Sequence, residues 1–407
     1  MELAVTRKAS DVHLAPGRSP ALRIDGSLRA LHGEFPPLTV EECEAGLRDM
    51  LRPDQNETLD RKMEIDIGYQ LDLPQGISRF RVNMHRQQRG LAAIFRLIPE
   101  KIPSAEELTL EQSIFQFAEL PRGLVLFTGA TGTGKSTTLA CLVDQINRRY
   151  PAHILTIEDP IEYSHSEKRA CITQRELGTH THGFGPALKS ALREDPDVIL
   201  VGEMRDLETI QLALTASETG HLVFSTVHTS DTSQTIDRII DVFPPSQQGM
   251  VRSQLAAVLQ GVVTQVLLPR ASGSGRIAAR EILLANTAVR TLIREQNTHQ
   301  LYNALTGGLQ AGMCPLELSL AAKVRQKLIS EAEAYAVANR PAVLRDYLAS
   351  RTFSHVVPGL ALAQPEDWVD STPISDLPTP ISAAQRPTPP PIPAAAAARQ
   401  HGNGLEP

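Results

Sequence analysis

The stretch GATGTGKSTT, residues 129–138, sets Gly129, Gly132 and Gly134 among small polar residues and ends in a lysine followed by hydroxyl side chains. That combination suits a polyphosphate. Glycines let backbone N–H groups turn inward around phosphate oxygens, and a helix beginning at the lysine adds positive potential. Thr131, Thr133 and Thr137 belong to the same binding loop. In this pattern Lys135 reaches the β and γ phosphates of a nucleoside triphosphate, and the Ser136 hydroxyl binds Mg²⁺. Hydrolysis also needs an acid at the end of a neighbouring strand. In DPDVILVGEMRD the apolar run stops at Gly202 and leaves Glu203 next, the first choice for general base. Glycine stands where many nucleotide hydrolases have a metal-binding aspartate, so another carboxylate is expected to share the metal. The stretch EDPIE offers Glu158 and Asp159 for the metal and Glu162 as the second candidate base. A metal role for Glu162 would explain the glycine at 202. Finally, LVFSTVHTSD ends at His228, with His221 just before it.

These residues need strands that end together. The runs LVLFT, HILTI, DVILV and LVFSTV alternate with helical stretches TLACLVDQINRR, LETIQLALTAS and TIDRIIDVF. Strands separated by helices predict a parallel sheet covered on both faces, with its ligand at the carboxyl ends of the strands. Residues 1–98 differ. Short alternating runs (ALRIDGSLRAL, EIDIGYQL, SRFRVNMH, LAAIFRLI) and one helix near TVEECEAGLRDML predict a small α/β domain.

The chain of 407 residues is long enough for two domains and a tail. The expected division is 1–98 for the small domain, 99–110 for a linker, 111–352 for an ATPase domain with C-terminal helices, and 353–407 for a disordered Pro- and Ala-rich tail. Residues 365–393 are rich in Pro, Ser and Thr and bury too little apolar surface to offset ordering entropy. A plain tail is expected, although a Pro-rich ligand for a partner and an anchoring role for Trp368 stay open. A net charge of −6 gives no basic field for nucleic acid. No run approaches the roughly 20 apolar residues of a membrane span, and a cytoplasmic protein is expected. Cys43, Cys141, Cys171 and Cys314 are far apart and never form CxxC, which predicts buried or half-buried thiols rather than disulfides or a zinc site.

Taken in order, GATGTGKSTT, ILTIEDPIEYSH, ALREDPDVILVGEMRD and ETGHLVFSTVHTSDTSQTIDRIIDVFP resemble the Walker A, Asp, Walker B and His boxes of the secretion ATPases that power type II and type IV secretion and type IV pili. ASDVHL, LRIDG and RFRVN resemble the first domain of that family, so the likeness runs over about residues 9–348. It implies a PAS-like first domain and a RecA-like P-loop domain with a mainly parallel sheet. It also implies a homohexameric ring in which the small domain of one subunit faces the nucleotide of its neighbour. Arg81 and Arg96 match the arginines that reach the phosphates, where a guanidinium fork stabilises transition-state charge. Arg193, in the helix before Walker B, matches a phosphate-facing arginine, and Lys189 replaces its usual arginine companion. His228 is taken with the catalytic group and His221 with the nucleotide-binding one.

Branches of the family that extend pili or drive type II secretion carry a four-cysteine zinc module, and here VLLPRASGSGRIAARE is a cysteine-free glycine loop. AVRTLIRE, residues 288–295, looks like an element of the pilus-retraction branch. Val289, Leu292 and Ile293 would share one helical face, and Arg290 and Arg294 another. The resemblance implies retraction through an inner-membrane platform protein, at the cytoplasmic side of that membrane, with a second retraction ATPase as a further partner. An accessory retraction ATPase, an extension or secretion ATPase, and a nucleotide-dependent scaffold that hydrolyses little are the alternatives.

Overall fold

Strict alternation in FRVNMH puts Phe80, Val82 and Met84 on one face of a strand, fully buried, and turns Arg81 outward. The structure, a computed structural model, describes residues 1–7, 9–24, 27–73, 76–98, 101–350 and 360–363, with backbone alone at 76 and 77. The first part comprises α1 (Glu2–Thr6), β1 (Asp11–Leu14), β2 (Ala21–Ile24), β3 (Ser27–Ala30), α2 (Val40–Asp49), α3 (Pro53–Lys62), β4 (Glu64–Leu73), β5 (Gly76–Gln87) and β6 (Gly90–Ile98). Among the described residues these strands form a six-stranded antiparallel sheet, ordered β3-β2-β1-β6-β5-β4. Leu47 of α2 and Leu59 of α3 pack with Phe80, Val82, Met84, Leu91 and Phe95 on one side of it, and Arg81, Asn83 and His85 alternate to the other. A reciprocal Thr39–Glu42 capping box starts α2, and Pro53 pre-sets the first turn of α3.

The second part runs α4 (Gln112–Phe115), β7 (Gly123–Thr128), α5 (Lys135–Arg149), β8 (His153–Glu158), β9 (Cys171–Glu176), α6 (Phe184–Ala191), β10 (Val198–Val201), α7 (Leu207–Glu218), β11 (Leu222–Val227), α8 (Thr232–Asp241), α9 (Pro245–Val258), β12 (Leu259–Pro269) and β13 (Arg276–Leu284). Its strands form a seven-stranded sheet, β13-β12-β7-β11-β10-β8-β9, parallel except for β13. All six residues of β7 are buried. Leu124 and Leu126 face the core beneath α6–α9, and Val125 and Phe127 face the core beneath α4 and α5. A sheet covered on both sides needs continuous apolar strands, and each buried Leu or Phe contributes about 1.5–3 kcal/mol. The expected mainly parallel α/β fold is the one observed. Helices α10 (Thr287–Arg294), α11 (Leu301–Gly307), α12 (Leu316–Arg325), α13 (Glu331–Val337) and α14 (Pro341–Ala349) complete the helical end.

Two stretches depart from expectation. Ala105 and Leu110, inside the expected linker, are buried in the core beside α5. Residues 360–363, inside the expected disordered tail, lie along residues 110–112: Gln112 N–H donates to Ala361 O (2.7 Å), Ala363 N–H donates to Leu110 O (3.0 Å), and Ala363 is buried in the same core. The alternating LALA is too short to register as a strand until a partner edge is present. The rest of 353–407, with Trp368 and the Pro-rich stretch, lies outside the described residues. All four cysteines are free; Cys43, Cys141 and Cys314 are buried, and Cys171, opening β9, is exposed instead. Among the described residues no helix is long and apolar enough to cross a membrane.

Candidate active site

The phosphate loop follows β7 and runs into α5. Gly129, Gly132 and Gly134 all have positive φ (135°, 81° and 85°), a region that L side chains rarely enter. Gly129 has a second reason: a Cβ there would lie 2.3 Å from the Gln265 carbonyl oxygen. Lys135 is 7% exposed and its ammonium donates to Gly129 O (2.7 Å) and Ala130 O (2.9 Å), so it folds back over the loop mouth. Burial draws that ammonium below the ordinary lysine range, while the charges of Glu203 and Glu162 act the other way. Ser136 is half-buried in the first turn of α5, Thr131 is exposed, and the Thr133 hydroxyl donates to Ala130 O.

Parallel strands bring the acids to the same end. Glu203 lies two residues past β10, bonded to Arg205 Nε (2.7 Å) and 3.4 Å from Nε2 of His228, which follows β11. Burial pushes the Glu203 carboxyl up, but Arg205 and His228 outweigh this, and it stays ionised below the usual carboxylate range. Asp206 next to it is a helix cap, accepting from Thr209 N–H at 2.9 Å, and Asp231 caps α8 in the same way.

The glycine before Glu203 has a spatial cause. A Cβ at Gly202 would stand 3.1 Å from Ile157 O and 3.4 Å from Glu158 Cα, because the ends of β10 and β8 close on each other there. Gly202→Asp is therefore expected to lose about 1–3 kcal/mol by overpacking and to gain no turnover, read by thermal unfolding and phosphate release. The carboxylate missing from that position cannot simply be put back.

Glu158 ends β8, with Asp159 and Glu162 exposed on the loop beyond it. The Glu158 carboxylate accepts from Thr156 Oγ1 (2.6 Å), Gln174 Nε2 (3.2 Å) and Glu162 N–H (3.4 Å). Burial nonetheless pushes its pKa up to about 7. An acid whose folded pKa exceeds its unfolded value of 4.5 favours the folded state below 4.5 and loses that advantage as pH rises toward 7. The thermal midpoint of Glu158→Gln minus that of wild type should accordingly climb across this window and level off above it; a flat or falling difference contradicts the assignment. Thr137 Oγ1 meets Tyr163 OH at 3.0 Å, which ties this loop to α5 beside the phosphate loop.

Other expected residues sit elsewhere. Arg81 and Arg96 stand opposite one another on β5 and β6, in a row across the small sheet made by Arg23, Asp11, Arg96, Arg81 and Gly68. Arg96 Nε is 3.0 Å from Asp11 and Arg81 Nε is 3.9 Å from Asp66, and both guanidinium side chains are largely exposed (68% and 45%). Their ion pairs are thus with acids of their own sheet. Gly68 ends this row against Glu176, whose Oε1 would be 2.4 Å from a Cβ there, so the small sheet presses on the end of β9. Arg193 is exposed and lies beyond the end of α6 rather than within a helix, and Lys189 occupies the last turn.

His221 is a clearer correction. It precedes β11, and its carbonyl accepts from Gly123 N–H at the start of β7. It therefore lies at the amino ends of the strands, roughly 20 Å from the phosphate loop across six residues of strand. Its Nδ1 faces Ala216 O (2.8 Å) and Thr219 Oγ1 (3.2 Å), which makes it a brace for the turn after α7.

In α10 Val289 and Ile293 are buried as expected, but the arginines diverge. Arg290 donates to Ala256 O and Ala257 O at the end of α9 (2.6 and 2.8 Å), whereas Arg294 is exposed. Gln265 and Arg280 are not among the site residues expected from the sequence. Their signal was a polar residue in each of the apolar runs GVVTQVLL and IAAREILL, now paired across β12 and β13.

A phosphate loop at the carboxyl end of a central parallel strand, with Glu203 and His228 on the next strand ends, defines a P-loop nucleotide hydrolase. Residues 1–352 match the family described as Type II/IV secretion system protein, and the chain belongs to that family. It is 47% identical over 333 residues to the type IV pilus retractation ATPase PilT of Pseudomonas aeruginosa, spanning 82% of this chain and 95% of that one. To the twitching motility protein of Neisseria gonorrhoeae it is 49% identical over 312 residues, spanning 77% and 82%. The crystal structure of the pilus retraction motor PilT with bound ADP superposes with a TM-score of 0.78 at 42% identity, covering 84% of this chain and 97% of that one.

Proposed function

We propose that the chain is an ATP-hydrolysing motor that powers type IV pilus retraction, working as a homohexamer. The observation that carries this reading is the division of charge. Lys135, Glu203 and His228 are gathered on one sheet, while Arg81 and Arg96 form an exposed row on another. An exposed arginine row supplies positive charge that a neighbouring subunit's nucleotide can use, as in sites completed by an arginine from a second protein. Lys135 and the loop N–H groups hold the phosphates, and Glu203, already ionised, accepts a proton from the attacking water, with Glu162 as the second candidate for that role.

Mg²⁺ fits this donor set. Ser136 and exposed carboxylates flank the loop, and among the described residues no group of three or more His, Cys, Asp or Glu could hold a metal by itself. Mg²⁺ is commonly bound by one or two protein oxygens with phosphates and water, and there it neutralises phosphate charge. Ser136 is the first donor in this proposal, with Glu158, Asp159 or Glu162 sharing the role. Loss of the γ-phosphate would free the arginines and let the two domains of adjacent subunits turn against each other. The ring would act at the cytoplasmic face of the inner membrane on a platform protein, with a second retraction ATPase as a further partner.

Deletion in the source organism tests the reading. Pili should persist and accumulate while twitching stops; loss of pili would instead mark an extension motor.

A further inference from the structure

We infer that Gln265, Arg280 and Glu111 form a buried relay that couples the phosphate loop to the segment between the two domains. The inference rests on nucleotide binding at residues 129–138, as proposed above. Gln265 is 2% exposed and lies directly behind the loop. Its Nε2 donates to Thr133 O (2.6 Å), and its Oε1 accepts from Thr138 Oγ1 (3.0 Å) and Arg280 Nε (2.9 Å). A Cβ at Gly134 would meet the same Nε2 at 2.9 Å, so two glycines of the loop are shaped around one glutamine.

Arg280, 1% exposed, turns the contact toward the interdomain segment. Its Nη1 donates to Glu111 Oε2 (2.7 Å) and Thr109 O (3.2 Å), and its Nη2 donates to Leu108 O (3.3 Å). Residues 110–112 are in turn clasped by 360–363. The links from Thr138 through Gln265 and Arg280 to Glu111 are buried, and those to Thr133 O, Thr109 O and Leu108 O are part-buried; an unmade partner inside is costly, so a shift of Thr133 carries Gln265 and Arg280 with it. Phosphate oxygens compete with Gly129 O and Ala130 O for Lys135, and that is the displacement the relay would report. Gln265 is a positioning residue, since it touches the loop backbone and not the reacting atoms.

Contiguity alone does not establish coupling, so the test reads both ends at once. Hydrogen exchange of the full chain is followed at 129–138 and at 105–112, with and without ADP or a non-hydrolysable ATP analogue. In wild type nucleotide should slow exchange at 129–138 and change it at 105–112. In Gln265→Ala the first response should remain and the second should fall at least about fivefold. Arg280→Lys keeps a cation near Glu111 but loses the Nε bond to Gln265; it should show the same loss with nucleotide affinity unchanged. An undiminished response at 105–112 in either folded variant overturns the relay, as does a wild type that responds only at 129–138. No protection at 129–138 in wild type overturns the nucleotide reading and the relay with it.

Discussion

Lys135→Ala should lower phosphate release by about 100- to 1,000-fold, the cost of removing one preorganised charge from a developing anion. The substitution also takes the ammonium away from Gly129 O and Ala130 O, of which Ala130 O keeps the Thr133 hydroxyl. Loop collapse and charge loss therefore both contribute. Comparison with Lys135→Met, which keeps the aliphatic stem in a position only 7% exposed, separates them: a catalytic ammonium predicts nearly equal losses, a merely structural one a milder loss in Met. Retention of a tenth or more of wild-type turnover by either variant would sink the assignment.

The largest effect on stability should come from Arg280→Met, at about 3–5 kcal/mol. Arg280 and Glu111 side chains are 1% and 2% exposed, and removing the guanidinium leaves a carboxylate inside the protein with Lys323 at 3.8 Å as its remaining cation. It also removes a donor from the carbonyls of Thr109 and Leu108, of which Leu108 O keeps the Thr109 hydroxyl at 2.7 Å. Replacing Glu111 by Leu in the same chain should recover part of the loss, because two apolar groups cost less than half an ion pair. Chemical denaturation of the single and double variants checks this. Equal stability of Arg280→Met and wild type would show that the pair is not what holds residues 108–111.

Much of the site was legible because its parts are local. GATGTGKSTT, EDPIE and GEMRD each combine a strand end with residues whose chemistry works at that end, so parallel pairing was enough to gather Lys135, Glu203 and His228. Where the reading failed, position along a strand mattered more than nearness in sequence. His221 is one residue from β11 but at its amino end, so it could not reach phosphates that lie beyond the carboxyl end. Arg290 and Arg294 share a helical face in projection, yet the end of α9 meets only the first. Gln265 and Arg280 stand out as polar residues in apolar runs, but their meeting depends on the register of β12 against β13, which no local pattern in a glycine-joined pair of apolar runs reveals. The small sheet was legible as a type, while the use of its arginine row depends on a surface that a single chain does not bury.

The clasp of 360–363 on 110–112 makes the ATPase part of the chain nearly a closed ring. Its entry at Leu110 and its exit at Ala363 are hydrogen-bonded to each other. A unit whose ends meet has no preferred beginning, and the same sheet and helices are compatible with a circularly permuted order. Joining 363 to 110 and opening the exposed turn at 271–275 would leave every strand pairing intact. It would also detach the small domain from its connection, separating what the fold requires from what the motor requires.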